Sequence, residues 1–149
     1  MLTNYTKIVL MTVVGLFANM LIAQTGHEVH KPNPDKYDQF IEEVYGEYAD
    51  ELVFSKPLRY KSIKKMLNER VEFQSMTSDL NQKAESFDKL SDYDLNTAYV
   101  NNLTRDVAFM PSNFNPLKYD IDFYGLDRNQ YIITENNDFL IIIKAQNIN

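Results

Sequence analysis

The closing segment Phe139-Leu140-Ile141-Ile142-Ile143-Lys144-Ala145 decides the fold. Residues 139–143 are all apolar, so a strand over this segment has two apolar faces, and an exposed edge of such a strand invites aggregation. We therefore predict that the strand is covered on both faces. Its free edge is expected to pair with residues 70–76, "RVEFQSM", in which apolar and polar side chains alternate.

The residues before the closing strand predict two more strands and two turns. The stretch "KYDIDFY" alternates apolar and polar residues, "QYIITE" is rich in β-branched residues, and "GLDRN" and "NND" are typical of turns. In chain order, these segments are 118–124 (strand), 125–129 (turn), 130–135 (strand) and 136–138 (turn). The pattern predicts a C-terminal three-stranded antiparallel meander.

Two amphipathic helices are predicted ahead of this sheet. Asn33-Pro34-Asp35 is a typical helix start, with a side-chain cap, a first-turn proline and an acid near the positive end of the helix dipole. The first helix is expected over about 34–53, although Gly46 within it costs about 1 kcal/mol of helix propensity. Its predicted buried stripe is Tyr37, Phe40, Ile41, Val44, Tyr45, Tyr48 and Leu52.

A second helix is predicted after Ser55-Lys56-Pro57, ending near Asn68. Its predicted buried stripe is Leu58, Ile63, Met66 and Leu67. Residues 77–117 are rich in Ser, Asn and Asp, and we expect them to form an ordered but irregular wrap around the core. The expected fold class is α+β, with two N-terminal helices packed on a small antiparallel sheet dominated by the C-terminal meander.

The first residues predict a secretory signal peptide. Lys7 precedes a nearly unbroken apolar run, 8–23, that ends in a small residue. We predict cleavage after Ala23, a flexible leader over 24–33, and a single α+β domain over 34–149. The protein would then be exported to the periplasm or secreted. The alternative is an N-terminal membrane anchor, although the run is shorter than the span of about 20 residues that a bilayer requires.

The amino-acid composition bears on the source of the protein and on the classes of partner that it can bind. The chain has no cysteine, which excludes disulfides and thiol chemistry and, in an exported domain, favours a bacterial source. Without Lys7 it carries 14 basic and 21 acidic residues, a net charge of −7. A negative field repels nucleic acid and anionic lipid, so we predict no nucleic-acid partner and, after cleavage, no membrane insertion. A protein partner fits this charge, whereas the sequence indicates no oligomeric state.

One part of the chain is similar to known proteins. The stretch "TRDVAFMPSNFNPLKYDIDFY", together with Tyr131 and the closing "DFLIIIKAQ", resembles the C-terminal half of small uncharacterised exported proteins of flavobacteria and their relatives. The resemblance covers about a third of the chain and consists of packing and turn residues. It implies a bacterial, exported origin and carries over no activity and no site residue.

The only histidines, His27 and His30, lie with Glu28 in the leader and raise the question of a metal site. The zinc-protease pattern H-E-x-x-H places the second histidine one residue later than it stands here. Cleavage after Ala23 would put His27 at position four, although a copper- or nickel-binding amino terminus needs histidine at position three. We therefore interpret these side chains as a solvated tail and predict no cofactor.

The content of cysteine and histidine also limits which catalytic mechanisms the chain can support. With no cysteine and no histidine after residue 30, the body of the chain lacks a Ser-His-Asp triad and a thiol nucleophile. A carboxylate-based hydrolase is the enzymatic alternative, because Asp120 and Asp122 would lie roughly 7 Å apart on one strand face. However, alternation directs Tyr119, Ile121 and Phe123 to the core and leaves both acids on the solvent face.

Aromatic residues are the remaining candidates for function. The chain has 10 Tyr and 9 Phe, and tyrosine is favoured at recognition surfaces because it gives a wide contact at low entropy cost. Those in the irregular segment have no predicted core position. We therefore take them as candidate binding residues: Tyr93, Tyr99, Phe109 and Phe114.

These observations favour an exported, non-enzymatic binding or accessory module that contacts another envelope protein through the irregular segment and an acidic helix face. The first alternative is a carboxylate-based hydrolase of envelope glycan or peptide. The second is an immunity-type inhibitor of a basic toxin.

Export can be tested by expressing the full-length chain in a Gram-negative host. We expect the intact mass of the protein in periplasm or medium to correspond to a chain that begins at Gln24. An unprocessed chain recovered from the membrane fraction would support the anchor instead.

Overall fold

The computed structural model describes residues 28–126, 129–135 and 138–146. They form a mixed α/β fold with a five-stranded, mostly antiparallel sheet. The helices are α1 (Tyr37–Tyr45), α2 (Pro57–Arg70) and α3 (Ser78–Asn81). The strands are β1 (Val29–His30), β2 (Val71–Ser75), β3 (Asp88–Lys89), β4 (Gln130–Ile133) and β5 (Phe139–Ile143). The predicted signal peptide, its cleavage site and His27 lie outside the described residues, as do parts of the two predicted turns.

Strand β5 lies at the centre of the sheet, whose order is β1-β2-β5-β4-β3. It pairs antiparallel with β2 along its whole length, from Val71 opposite Ile143 to Ser75 opposite Phe139. Its other edge pairs antiparallel with β4, which precedes it in the chain. The predicted pairing of β5 with residues 70–76 is therefore confirmed.

Both faces of β5 are covered, as its sequence predicts. On one face, Ile141 and Ile143 belong to the main core, which also contains buried side chains of α1, α2 and β2. On the other face, Leu140 and Ile142 form a smaller cluster with Ile133. Three partly buried side chains pack against this smaller cluster: Met76, Ala84 and Phe87. The irregular segment thus supplies cover that the two predicted helices do not.

The predicted three-stranded meander is wrong in one strand. Residues 118–124 form no strand and make only an isolated bridge, between Tyr119 and Leu95. Their backbone bonds go to the irregular segment, since Asn96 N donates to Lys118 O over 2.7 Å and Asp120 N donates to Asp94 O over 2.9 Å. The C-terminal unit is therefore a two-stranded hairpin.

The sheet is completed by two short strands that the sequence did not predict. Val29 and His30, within the predicted flexible leader, pair antiparallel with β2. At the opposite edge, Asp88 and Lys89 pair parallel with β4. Edges only two residues long offer little template for pairing with another chain.

The first helix begins as predicted and ends early. Asn33 Oδ1 accepts a hydrogen bond from Asp35 N over 3.1 Å and caps a short 3₁₀ turn that leads into α1. The α-helix stops at Tyr45 because Gly46 adopts φ +53°, a backbone conformation that favours glycine. The chain continues as a 3₁₀ turn (Gly46–Tyr48) and then a π-helical turn (Asp50–Phe54).

This interruption changes which side chains face the core. A continuous α-helix would bury Tyr48 and Leu52. In the structure, Ala49 and Val53 are buried, Leu52 is partly buried against the main core, and Tyr48 is exposed. The buried stripe has moved by one residue because the chain restarts with different helical geometry after Gly46. Tyr48 therefore points outward and is 42% exposed.

The second helix buries Ile63, Met66 and Leu67, as predicted, and continues to Arg70. The prediction for Leu58 is wrong, since that side chain is 85% exposed. Leu58 lies one turn before Ser62 and two turns before Lys65, so it shares their exposed face rather than the buried stripe.

The segment 77–117 is irregular, as predicted, with α3, β3 and short 3₁₀ turns as its regular elements. Arg105 ties it together, because its guanidinium donates to the backbone carbonyls of Leu90, Ser91 and Tyr93. The same group lies 3.6 Å from the carboxylate of Glu135 and 5.6 Å from the centre of the Tyr119 ring. The Arg105 side chain thus satisfies three backbone carbonyls that backbone amides would satisfy in a regular element.

Gly46→Ala is expected to destabilise the fold by about 2 kcal/mol, because an alanine is strained at this φ. The added Cβ would also lie 2.9 Å from Val100 Cγ2. The free energy of unfolding from urea titration measures the loss.

Gly125→Ala is the matched control. Its Cβ would lie at the same distance, 2.9 Å, from Asp122 Oδ2, but Gly125 does not adopt the left-handed φ that strains an alanine. We expect this variant to lose less than about 1 kcal/mol. Equal losses in the two variants would contradict a special role of Gly46.

Candidate binding surface

Three tyrosines from two distant segments meet on the surface. The rings of Tyr45 and Tyr99 stack, with centroids 5.1 Å apart and planes 25° apart. The Tyr48 ring lies 5.9 Å from that of Tyr99. Tyr48 and Tyr99 keep 42% and 39% of their surface exposed. Aromatic side chains that are fixed by one another and still face solvent are suited to contact a partner.

Arg59, at the start of α2, completes the group. Its Nη2 donates to the Tyr45 hydroxyl over 3.2 Å, and its guanidinium carbon lies 5.3 Å from the centre of the Tyr45 ring. The hydrogen bond to Tyr45 is the main cause that raises the pKa of Arg59 above its ordinary value, with a further contribution from Tyr99. We call Tyr45, Tyr48, Tyr99 and Arg59 the tyrosine patch.

The position of Tyr99 depends on Gly46. Val100, the next residue, approaches Gly46 so closely that a Cβ there would lie 2.9 Å from Val100 Cγ2. The glycine therefore turns Tyr48 outward. It also leaves room for the irregular segment that carries Tyr99. A bulkier residue at position 46 would disturb both halves of the patch.

A buried lysine holds the irregular segment against α1, while the side chains of its partners Asp106 and Glu43 are 25% and 41% exposed. Lys118 is 3% exposed, and its Nζ lies 3.0 Å from Asp106 Oδ1 and 3.4 Å from Glu43 Oε1 of α1. The buried Asn115 amide donates to Glu43 Oε2 over 2.9 Å and to the Phe40 carbonyl over 3.0 Å. Polar groups at this depth need such partners, and these contacts join three separate stretches of chain.

Tyr119 extends the same network. Its hydroxyl donates to Asp106 Oδ2 over 3.1 Å, while its ring stacks on Phe114 with centroids 5.4 Å apart. Burial raises the pKa of Tyr119 well above its ordinary value, and the neighbouring Asp106 carboxylate raises it further. The phenol therefore stays protonated in the folded protein and acts as a structural donor.

The four aromatic candidates from the sequence have different positions. Tyr99 lies in the tyrosine patch. Phe114 is buried and Phe109 is half-buried, and both rings pack on Phe73 in the main core, so these two residues do not form a binding surface. Tyr93 is half-buried, and its hydroxyl donates to Asp88 Oδ2 over 3.0 Å.

Tyr45 and Tyr48 were both expected in the core. Tyr45 is half-buried and packs against the main core, whereas Tyr48 is exposed. Arg59 was not among the predicted site residues. Gly46, directly between the two tyrosines, was the available signal, since a glycine inside a helical pattern often marks its end. The contact with Tyr99 had no sequence signal, because residues 45 and 99 meet only in the tertiary structure.

Of the residues considered for a metal site, the structure describes Glu28 and His30. His30 Nε2 lies 3.5 Å from Glu28 Oε1, and its ring packs edge-on against Phe139. Within the described ranges, no group of three His, Asp or Glu side chains could hold a metal ion. His27 lies outside these ranges.

Asp120 and Asp122 are exposed, as alternation predicted, while Tyr119 and Ile121 are buried and Phe123 packs against the core. Asp122 Oδ1 accepts a hydrogen bond from Tyr124 N over 2.8 Å, which stabilises the turn that follows. This carboxylate therefore has a local structural role.

Lys118→Met is expected to destabilise the fold by about 2 kcal/mol, because it removes the charge-assisted hydrogen bond to Asp106 and the ion pair with Glu43, although both carboxylates are partly exposed. Lys65→Met is the matched control, since Lys65 forms an exposed pair with Glu69 on α2 and should cost less than about 1 kcal/mol. Urea titration measures both variants. If Lys118→Met loses no more unfolding free energy than Lys65→Met, the contacts of Lys118 contribute no more to stability than those of an exposed lysine.

Comparison of the chain with protein-family models, with curated proteins and with solved structures gives no match. Over residues 28–126, 129–135 and 138–146, no helix is long and apolar enough to cross a membrane. The tyrosine patch is thus the feature on which a functional proposal for this chain rests.

Proposed function

We propose that the chain is an exported, non-enzymatic binding module that contacts a protein partner of the bacterial envelope through the tyrosine patch. The observation that carries the proposal is that the exposed rings of Tyr48 and Tyr99 meet on the surface, where the half-buried Tyr45 stacks on Tyr99 and Arg59 lies over Tyr45. Tyr and Arg are enriched among the residues that dominate binding energy at protein interfaces.

The patch is organised before any partner binds. Stacking with Tyr45 and contact with Tyr48 restrict the Tyr99 ring, so little side-chain entropy is left to lose on association. Rigid aromatic side chains support a specific contact rather than a solvated surface.

Charge supports a basic partner. The stretch that carries Tyr45 and Tyr48 also contains five exposed acidic residues, and the whole chain has a net charge of −6. The five are Glu42, Glu43, Glu47, Asp50 and Glu51. Complementary charge accelerates association and disfavours wrong partners. An inhibitor of a basic toxin is the version of this proposal in which that partner is a toxin.

The hydrolase alternative has less geometric support. It required Asp120 and Asp122 to lie side by side on one face of a strand. Asp122 instead accepts the Tyr124 amide hydrogen in a turn. Export of the module, to periplasm or exterior, is supported by the apolar N-terminal run and the resemblance to flavobacterial exported proteins.

The proposal is tested by placing a photo-crosslinking phenylalanine analogue at position 99 of the full-length chain. The purified protein is irradiated in envelope extract of the bacterium that encodes it. We expect one adduct of defined mass whose yield falls with added salt. We also expect Tyr48→Ala to weaken capture of that partner at least about tenfold, as for an interface hot spot.

The matched control carries the analogue at position 124. Tyr124 is also an exposed tyrosine, but it lies outside the tyrosine patch. Equal adducts from both positions, or none from position 99, would reject the tyrosine patch as the binding surface. Circular dichroism of Tyr48→Ala excludes loss of fold as the cause of weaker capture.

A further inference from the structure

A shallow groove with a positive rim lies between α2 and the chain that enters α1. It measures about 540 Å³. Asn68 lines one end of it, and the Asn68 carbonyl accepts a hydrogen bond from Lys31 Nζ over 3.0 Å, which brings a further lysine to that end. The other lining residues used below are Pro34, Tyr37, Tyr60, Lys61, Lys64 and Lys65. We call this space, together with Lys31, the lysine groove.

The charge of α2 is opposite to that of the whole chain. Residues 55–68 contain five basic residues and no acidic residue, whereas the chain has a net charge of −6. The first turn of α2 also contains no acid, although the helix dipole favours an acid at that position. Helix stability therefore does not account for this run of basic residues.

The ammonium groups of the lysine groove are accessible to a ligand. Lys61 is exposed and makes no ion pair within the part of the chain that the structure describes. Lys65 Nζ lies 3.8 Å from Glu69 Oε2, and Lys64 Nζ lies 3.8 Å from Asp38 Oδ1. Exposed pairs at this distance contribute little to stability, so a carboxylate of a ligand can replace their acidic partners.

The floor of the lysine groove is apolar. Pro34 forms part of it with the side chains of Tyr37 and Tyr60. The Tyr37 hydroxyl donates to the Pro32 carbonyl over 3.3 Å, and the Tyr60 hydroxyl donates to Asp38 Oδ1 over 2.7 Å. Because both phenol protons are already used, the floor offers a ligand apolar surface rather than free hydroxyl groups.

The spacing of the lysines favours an anion with several charges along its length. Lys61 and Asn68 are seven residues apart on α2, which corresponds to about 10 Å along the helix axis. Lys61 thus lies at one end of the lysine groove, and Lys31 lies at the other end beside Asn68. A small anion with a single charge would reach only part of this set.

Two other classes of polyanion fit the lysine groove less well. Single-stranded nucleic acid needs free aromatic faces on which its bases stack. Tyr37 is only 2% exposed, while the Tyr60 ring has Lys64 Nζ 4.8 Å from its centre and the Phe54 ring packed against it at 5.6 Å. An anionic bilayer presents a wide plane of charge, which would also face the acidic residues of this chain. A peptide contacts the groove alone, and charges further away than about 8 Å are largely screened at physiological ionic strength.

We propose that the lysine groove binds an acidic peptide segment of a protein partner. The carboxylates of the peptide pair with Lys31, Lys61 and Lys65. An apolar side chain between these carboxylates packs on Pro34 and Tyr60. The contact does not rest on the partner proposed for the tyrosine patch, because the two surfaces share no residue. The chain thus has two docking surfaces of opposite charge.

Fluorescence anisotropy on the purified full-length protein tests the proposal. The probe is a peptide in which pairs of glutamates alternate with single leucines, labelled with an uncharged dye. We expect binding that weakens as salt is added. Lys61→Gln combined with Lys65→Gln should weaken binding at least about tenfold, whereas arginine at both positions keeps the charge and should retain the affinity within about twofold.

Lys83→Gln combined with Lys89→Gln is the matched control. Both are exposed lysines outside the lysine groove, and this pair changes the net charge by the same amount. We expect it to leave the affinity for the peptide within about twofold. Equal weakening by the two glutamine pairs would mean that only net charge matters and would overturn the proposal. So would a lack of peptide binding by the wild-type protein, whose fold is checked by circular dichroism.

Other occupants of the lysine groove are tested with the same variants. A thymidine oligonucleotide or phosphatidylglycerol vesicles that bind more tightly than the peptide, and lose binding in Lys61→Gln with Lys65→Gln, would overturn the assignment to a peptide. Sedimentation that shows self-association of the wild-type protein alone, abolished in this variant, would instead assign the groove to a second copy of the chain. Photo-crosslinking from position 99 should be unchanged in this variant, so the two proposals fail separately.

Discussion

The fold depends on covering an apolar strand on every side. Phe139–Ile143 exposes apolar side chains on both faces and backbone groups on both edges, so it can lie only at the centre of a sheet between two layers. Strands β2 and β4 satisfy its edges. The helices cover one face, and residues of the irregular segment, including Phe87, cover the other. The irregular segment is therefore a structural layer, although it contains little regular secondary structure.

A layer without regular backbone pairing needs other contacts to hold it, and charged side chains supply them here. Arg105 donates to three backbone carbonyls, and the buried Lys118 joins Asp106 to Glu43 of α1. Removing Lys118 would take the cation from two partly exposed carboxylates, and removing Arg105 would take the donor from three backbone carbonyls. These contacts fix the irregular segment against α1. Tyr99 is thereby held beside Tyr45 of α1.

Gly46 links the fold to the proposed binding surface. Its positive φ ends α1, shifts the buried stripe from Tyr48 and Leu52 to Ala49 and Val53, and leaves room for Val100. An aromatic residue that a continuous helix would bury is thereby placed on the surface beside Tyr99. The glycine lowers helix propensity, and the interruption that it causes places Tyr48 on the surface.

The sequence by itself determined the elements whose signal is local. Side-chain alternation predicted β2 and the burial of Tyr119 and Ile121, the apolar run 139–143 predicted a doubly covered strand, and Asn33 predicted the helix start. Tertiary structure decided where backbone groups without a local partner bond: residues 118–120 join 94–96 instead of β4, and Val29 and His30 join β2. It also decided the tyrosine patch, since residues distant in sequence form it. Periodicity reports which face a side chain occupies, but it contains no information on which distant segment will lie against that face.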